Sequence, residues 1–179
     1  MRKKMNIKEP GPHLDHMLRQ TRQHHVQLSS MADLKANILM TIASVVITLS
    51  IHQTMDPDLR WTALILILFS LITILLAAYS VMPKIPFRLR EKIPREELDF
   101  PFNLHFFGDF TQMKYNDYVT SMESLMNNPS EAYESMVREI YTLGEYLAKE
   151  KYRYIRLAYI SFIAGLILSG VTLLITGLF

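Results

Sequence analysis

The chain has 179 residues, half of them hydrophobic and 20% charged, with a formal net charge of +2 and no cysteine. So small a net charge gives no support to nucleic-acid binding. Without thiols, disulfide frameworks, thiolate zinc sites and cysteine nucleophiles are excluded. The apolar residues are concentrated rather than spread. Trp61 to Met82 and Leu157 to Phe179 each run without a charge, over 22 and 23 residues, and Ile38 to Ile51 is a third apolar run of 14. A bilayer core needs roughly 20 apolar residues as helix, in a range of about 17–25. The two long runs therefore read as spans, because too few residues remain to bury two all-round apolar helices in a soluble fold.

In chain order, residues 1–12 are basic, contain Pro10-Gly11-Pro12 and read as a loose tail. Neither a secretory pattern nor a persuasive cleavage site precedes or follows the first apolar run, so that run is expected to stay as an anchor. From His13 to about Lys35, Leu14, Met17, Leu18, Val26, Leu28 and Met31 make an apolar stripe. No proline intervenes before Met55, so this amphipathic helix is expected to run straight into the first span. That span, 36–53, stands at the lower length limit, with Lys35 placed to snorkel toward the headgroups. A re-entrant or interfacial helix is the alternative reading. Met55 to Leu59 is a short turn that forces a helical hairpin. Trp61 opens the second span, 61–82, at interface depth, and Pro83 and Pro86 close it.

Residues 83–153 form the one sizeable insertion. It opens on a basic, proline-punctuated stretch with Lys84, Arg88, Arg90, Lys92 and Arg95, continues through the aromatic Phe100, Phe102, Phe106, Phe107 and Phe110, and ends in two helical patterns. The first covers roughly 114–126. The second follows Asn127-Asn128-Pro129, with Ser130 as its expected N-cap, and continues without a break into the third span, 154–179. Residues 1–35 hold seven Lys/Arg and residues 83–156 hold eleven, against Arg60 alone between the first two spans. Positive-inside then places the N-terminus and the insertion in the cytoplasm, which three spans satisfy and two do not. The fold class expected is an all-α membrane protein: three transmembrane helices with a mainly helical cytoplasmic insertion between the second and third.

Chemical motifs are sparse. His13/His16 and His24/His25 lack further ligands at useful spacing, so no metal site is expected. There is no GxSxG motif and no P-loop. Gly165, Gly170 and Gly177 suit close helix approach in the last span. Two clusters stand out. His25, Ser29 and Asp33 recur at four-residue spacing on one helix face, and Asp33 and Lys35 lie within a turn of the bilayer with Asn37 behind them. An acid at that depth calls for a polar partner. Structural pairing and a ligand or gating role both remain open for it. Arg88, Arg90, Arg95, Asn103, His105 and the phenylalanines form the second cluster. Cations, an amide and aromatic faces suit a nucleotide, and they equally suit contact with a membrane surface, which composition favours.

Three blocks carry a family resemblance. His25-Val26-Gln27-Leu28-Ser29-Ser30-Met31-Ala32-Asp33-Leu34-Lys35-Ala36-Asn37 resembles the opening signature of the Pycsar transmembrane effectors, with its Ala-Asp-x-Lys-Ala core. Asn103 to Phe110, followed by Tyr115 and Tyr118, is similar to that family's Phe-Phe-Gly block. Lys149-Glu150-Lys151-Tyr152-Arg153 resembles its approach to the last span. The resemblance covers roughly residues 18–179. It implies a bacterial antiphage effector of the inner membrane, paired with a pyrimidine nucleotide cyclase. Such an effector senses cyclic UMP or cyclic CMP, impairs the membrane and causes abortive infection. It implies no enzyme activity, since the phosphohydrolase domain that some relatives carry is not expected here, and no cofactor. Asp33, Lys35, Arg88, Arg90, Asn103 and Phe106 are the candidate ligand-binding residues, and a homo-oligomer is expected because three helices seldom enclose a pore. A partner-binding scaffold is the competing reading, and a membrane enzyme a third.

Overall fold

The computed structural model describes residues 5–83 and 103–176, apart from the side chains at 107 and 108. Arg88 and Arg90 lie outside the described residues, as does the proline-punctuated stretch around them. Six α-helices are described: α1 (Pro12–Gln53), α2 (Arg60–Val81), α3 (Phe107–Phe110), α4 (Tyr115–Met126), α5 (Pro129–Tyr146) and α6 (Arg153–Thr176). A π-helical turn, Leu147–Tyr152, joins α5 to α6. Among the described residues there are no strands. Three helices are long and apolar enough to cross a membrane: α1, α2, and the continuous 48-residue helix Pro129–Thr176. The described residues are thus all-helical, with the three apolar helices of a multi-pass membrane protein.

The expected fusion of amphipathic helix and first span is present as the single 42-residue α1. Pro12 begins it, where the missing N–H costs nothing. Two local expectations are corrected. Residues 5–11 are not a loose tail, since the N–H of Met5 donates to Glu134 Oε2 and that of Ile7 to Ser130 Oγ, both at 3.4 Å. Ser130 does not cap α5 either. Pro129 occupies the first helical position, and Asn128 stands in front of it with Oδ1 accepting the Glu131 N–H at 3.4 Å. Proline is pre-shaped for that position, so the cap falls one residue before it and the Ser130 hydroxyl is left to meet Ile7.

The described residues fall into two compact units, one drawn from Met1–Val26 and Pro83–Glu145, the other from Gln27–Met82 and Tyr146–Phe179. The second unit is built on small side chains. Ala32, Ala36, Leu39 and Ala43 are buried on α1, at alternating four- and three-residue steps. Ala63, Ser70, Thr73, Ala77 and Ser80 are buried on α2, and Ile155, Ala158, Gly165 and Ser169 on α6. Such steps keep one stripe of a helix facing its neighbour. Small residues there let backbones approach, which is how helices associate where lipid is as apolar as leucine. Ala32, Ala36, Leu39, Ala77, Ile155 and Ala158 form one core from all three helices. Gly165 marks a tight approach, since a Cβ built on it would collide with Phe69 Cβ. Gly170 has open space around it, so of these two only Gly165 serves close packing, and Gly177 lies outside the described residues. The Ser161 hydroxyl donates to Phe69 O at 3.3 Å, and that of Thr73 to Phe69 O at 2.8 Å and Ala158 O at 3.4 Å. Tyr79 and Tyr154 meet edge-on with centroids 4.5 Å apart. The large apolar side chains, Leu68, Leu71, Leu75, Ile167 and Leu174 among them, point outward. A soluble protein would not expose so much apolar surface, whereas a bilayer accommodates it.

In the first unit, the Tyr133 hydroxyl donates to Asp15 Oδ1 at 2.7 Å and fastens α5 to the start of α1. That hydrogen bond, reinforced by burial, raises the phenol above its ordinary value. Arg22 Nε donates to Glu139 Oε1 at 2.7 Å two turns further along. His25 rests on Gly144, where a Cβ would come within 3.3 Å of its ring.

Candidate functional site

The segment from Asn103 to Phe110 folds on itself through its own polar groups. Asn103 is 2% exposed, its N–H donates to Asp109 Oδ2 at 3.0 Å, and its Oδ1 accepts the His105 N–H at 3.0 Å. The Phe106 N–H returns to Asn103 O at 3.1 Å. An asparagine that satisfies the backbone two residues on is the usual way to fix such a turn. Phe106 is half-buried just before α3, and Phe110 packs on Tyr118 with ring centroids 5.2 Å apart. Two buried nitrogens, Asn103 Nδ2 and His105 Nε2, have no hydrogen-bond partner among the described residues. Buried polar atoms nearly always have one, so each unmatched atom in a native fold asks for a reason.

Burial pushes the Asp109 carboxyl above the usual aspartate value, and the hydrogen bond from the Asn103 N–H works against that rise. A raised folded value means that the folded chain holds this proton more tightly than the unfolded chain. The group's contribution to stability is then present at acid pH and is lost as pH rises through the raised value. Asp109→Asn keeps an oxygen for Asn103 and removes the charge. Thermal melts across the acid-to-neutral range are expected to show a more stable variant at neutral pH and a smaller gain on acidification. A variant less stable than the parent at neutral pH would contradict this.

Asn103 and Phe106 belong to this loop. Asp33 and Lys35 belong to the other unit, where Lys35 is exposed. The polar partner expected for Asp33 is Lys151, whose Nζ donates to both carboxylate oxygens at 2.6 and 2.7 Å and to Ser29 Oγ at 2.9 Å. The ammonium is thereby held by a carboxylate and a hydroxyl together. Lys151 itself lies in the π-helical turn, a rare winding that recurs at functional positions. Ser29 and Asp33 share this contact as their four-residue spacing suggests, while His25 of the same stripe is engaged with Gly144. Sequence reasoning missed Lys151. Its signal was the face that it shares with Ile155 and Ala158, where a cation among core positions needs an anion.

Sequence reasoning also missed a cleft of about 470 Å³ in the first unit. Asp15, Leu18, Arg19 and Arg22 line it from α1, at helical steps that put them on one side of the helix. Met136, Glu139 and Ile140 line it from α5, and His105 from the polar loop. The volume is in the range of small-molecule sites. Arg22 is paired with Glu139, and Asp15 with Tyr133, whereas Arg19 has no ion-pair partner among the described residues. Among the described residues no group of three or more His, Asp or Glu is gathered for a metal ion.

Comparison with known proteins finds no match among curated proteins or solved structures. A family model does match, and it takes in residues of both units, from the cleft-lining Arg19 to Thr176 at the end of α6. The model is PycTM, the Pycsar effector protein domain, it matches residues 16–176, and the chain belongs to that family.

Proposed function

We propose that this chain senses cyclic UMP or cyclic CMP and answers by impairing the bacterial inner membrane, so that the infected cell dies or stops growing. Its family is that of the membrane effectors of Pycsar antiphage defence, systems in which a cyclase signals through a cyclic nucleotide. The match over residues 16–176 carries this reading, because it covers the polar unit and the three apolar helices together. In the proposed orientation the N-terminus and residues 83–153 are cytoplasmic, as the lysine and arginine distribution favours. Several copies act together, since three helices with small-residue seams fill their own interior. The covalent continuity of α1, and of α5 with α6, supports a signal carried along helices. A ligand can drive such a change only by its differential affinity for two states.

The test is to express the chain in bacteria, supply cyclic UMP, cyclic CMP or cyclic AMP, and follow membrane potential with a dye. Depolarisation with a pyrimidine nucleotide and none with cyclic AMP is the expected result. Binding of a pyrimidine nucleotide without depolarisation would favour a partner-binding scaffold instead.

A further inference from the structure

The cleft between the start of α1 and α5 has an inventory that no other cluster among the described residues matches. Arg19 and Arg22 bring guanidinium groups to its lining, Leu18, Met136 and Ile140 bring apolar side chains, and His105 joins them, its buried Nε2 having no partner among the described residues. An unmatched buried nitrogen of this kind asks for a reason in a native fold. We infer that this cleft is the effector's ligand site and that it takes a cyclic mononucleotide, with Arg19 and Arg22 on the phosphodiester, His105 on a polar edge and the three apolar side chains against the base. The inference rests on the sensor reading above and assigns it a place.

Charge narrows the class of ligand. Two arginines face Asp15 and Glu139, so the lining is balanced overall. Asp15 is occupied by the Tyr133 hydroxyl and Arg22 by Glu139, which leaves Arg19 as the available cation. A cyclic phosphodiester carries a single negative charge and suits one guanidinium that has no ion-pair partner among the described residues. A nucleoside triphosphate, with several charges, would be held against two carboxylates. Arginine suits the task, since its planar fork grips phosphate oxygens in pairs.

Arg22 makes the site responsive rather than merely complementary. Its side chain is 58% exposed while that of Glu139 is 13% exposed, so the arginine is the partner free to turn. A phosphodiester entering the cleft competes with Glu139 for Arg22. The tie between α1 and α5 is thereby exchanged for one made through the ligand. Those two helices are the ones that continue into the first and third apolar helices.

The experiment is calorimetry on the detergent-purified full chain with cyclic UMP and cyclic CMP. Arg19→Ala and Arg22→Ala are each expected to weaken binding about tenfold or more, the loss typical of a charge-assisted hydrogen bond. Glu139→Gln removes the competitor and is expected to tighten binding several-fold. A misfolded variant cannot produce that gain, so this arm guards the other two. If the parent binds while both arginine variants stay within twofold of it, the cleft assignment is overturned and the sensor reading stands. If the parent binds neither nucleotide, the sensor reading and the assignment fall together.

Discussion

Lys151→Ala is expected to cost the purified chain about 1–3 kcal/mol of stability, read as a thermal shift in detergent. The Lys151 side chain is 11% exposed and its ammonium donates to Asp33 and Ser29. Removing it leaves a carboxylate beside Ala32 and Ala36 with its cation gone. A fully buried pair would lose roughly 3–5 kcal/mol. The 39% exposure of the Asp33 side chain lets water take over part of the lost interaction, hence the smaller figure. A double-mutant cycle with Asp33→Asn should show coupling of about 1–2 kcal/mol. The paired change Asp33→Leu with Lys151→Met should cost far less than Lys151→Ala, because it leaves no orphaned charge. A Lys151→Ala chain within about 0.5 kcal/mol of the parent would contradict the pair's structural importance.

The same substitution at two glycines of α6 is expected to act in opposite directions. At Gly165 a methyl group would fall against Phe69 Cβ, closer than carbon atoms tolerate. Phe69 Cβ is fixed to its helix backbone, so α2 and α6 must separate. Overpacking of this kind costs about 1–3 kcal/mol. At Gly170 nothing lies within 4 Å, and alanine should gain about 0.5–1 kcal/mol by stiffening the helix. Helical content and melting temperature of both variants in one detergent decide the matter. Equal effects at the two sites would mean that the approach of α2 and α6 is not as tight as the structure has it. Phe69→Gly should restore Gly165→Ala in part, since it removes the opposing carbon.

Much of the fold could be read from hydropathy because lipid imposes a severe rule: every backbone polar group must be satisfied within its own helix. Uncharged runs of sufficient length therefore announce their structure. The unbroken α1 and the continuity of α5 with α6 were equally legible, since no proline interrupts either. The candidate site was less so. Asp33 could be singled out from its depth, but its partner lies 118 residues away, and no periodicity connects them. Asn103, a ligand candidate from the sequence, holds a turn through its Oδ1, with its amide nitrogen unmatched among the described residues. Arg19 and Arg22 drew no attention because, on a helix read alone, they look like an ordinary solvated face.

By itself the sequence determined the number and order of the long apolar helices, the all-helical class and the family, because these depend on length, composition and contiguous motifs. Only the tertiary structure decided which polar residues meet. It joined Lys151 to Asp33 and Ser29, set Gly165 against Phe69, and brought Arg19 and Arg22 opposite Glu139 with His105 beside them. The reason is physical. A helix's existence follows from its own residues, whereas a pair or a cleft follows from how helices distant in sequence turn their faces together.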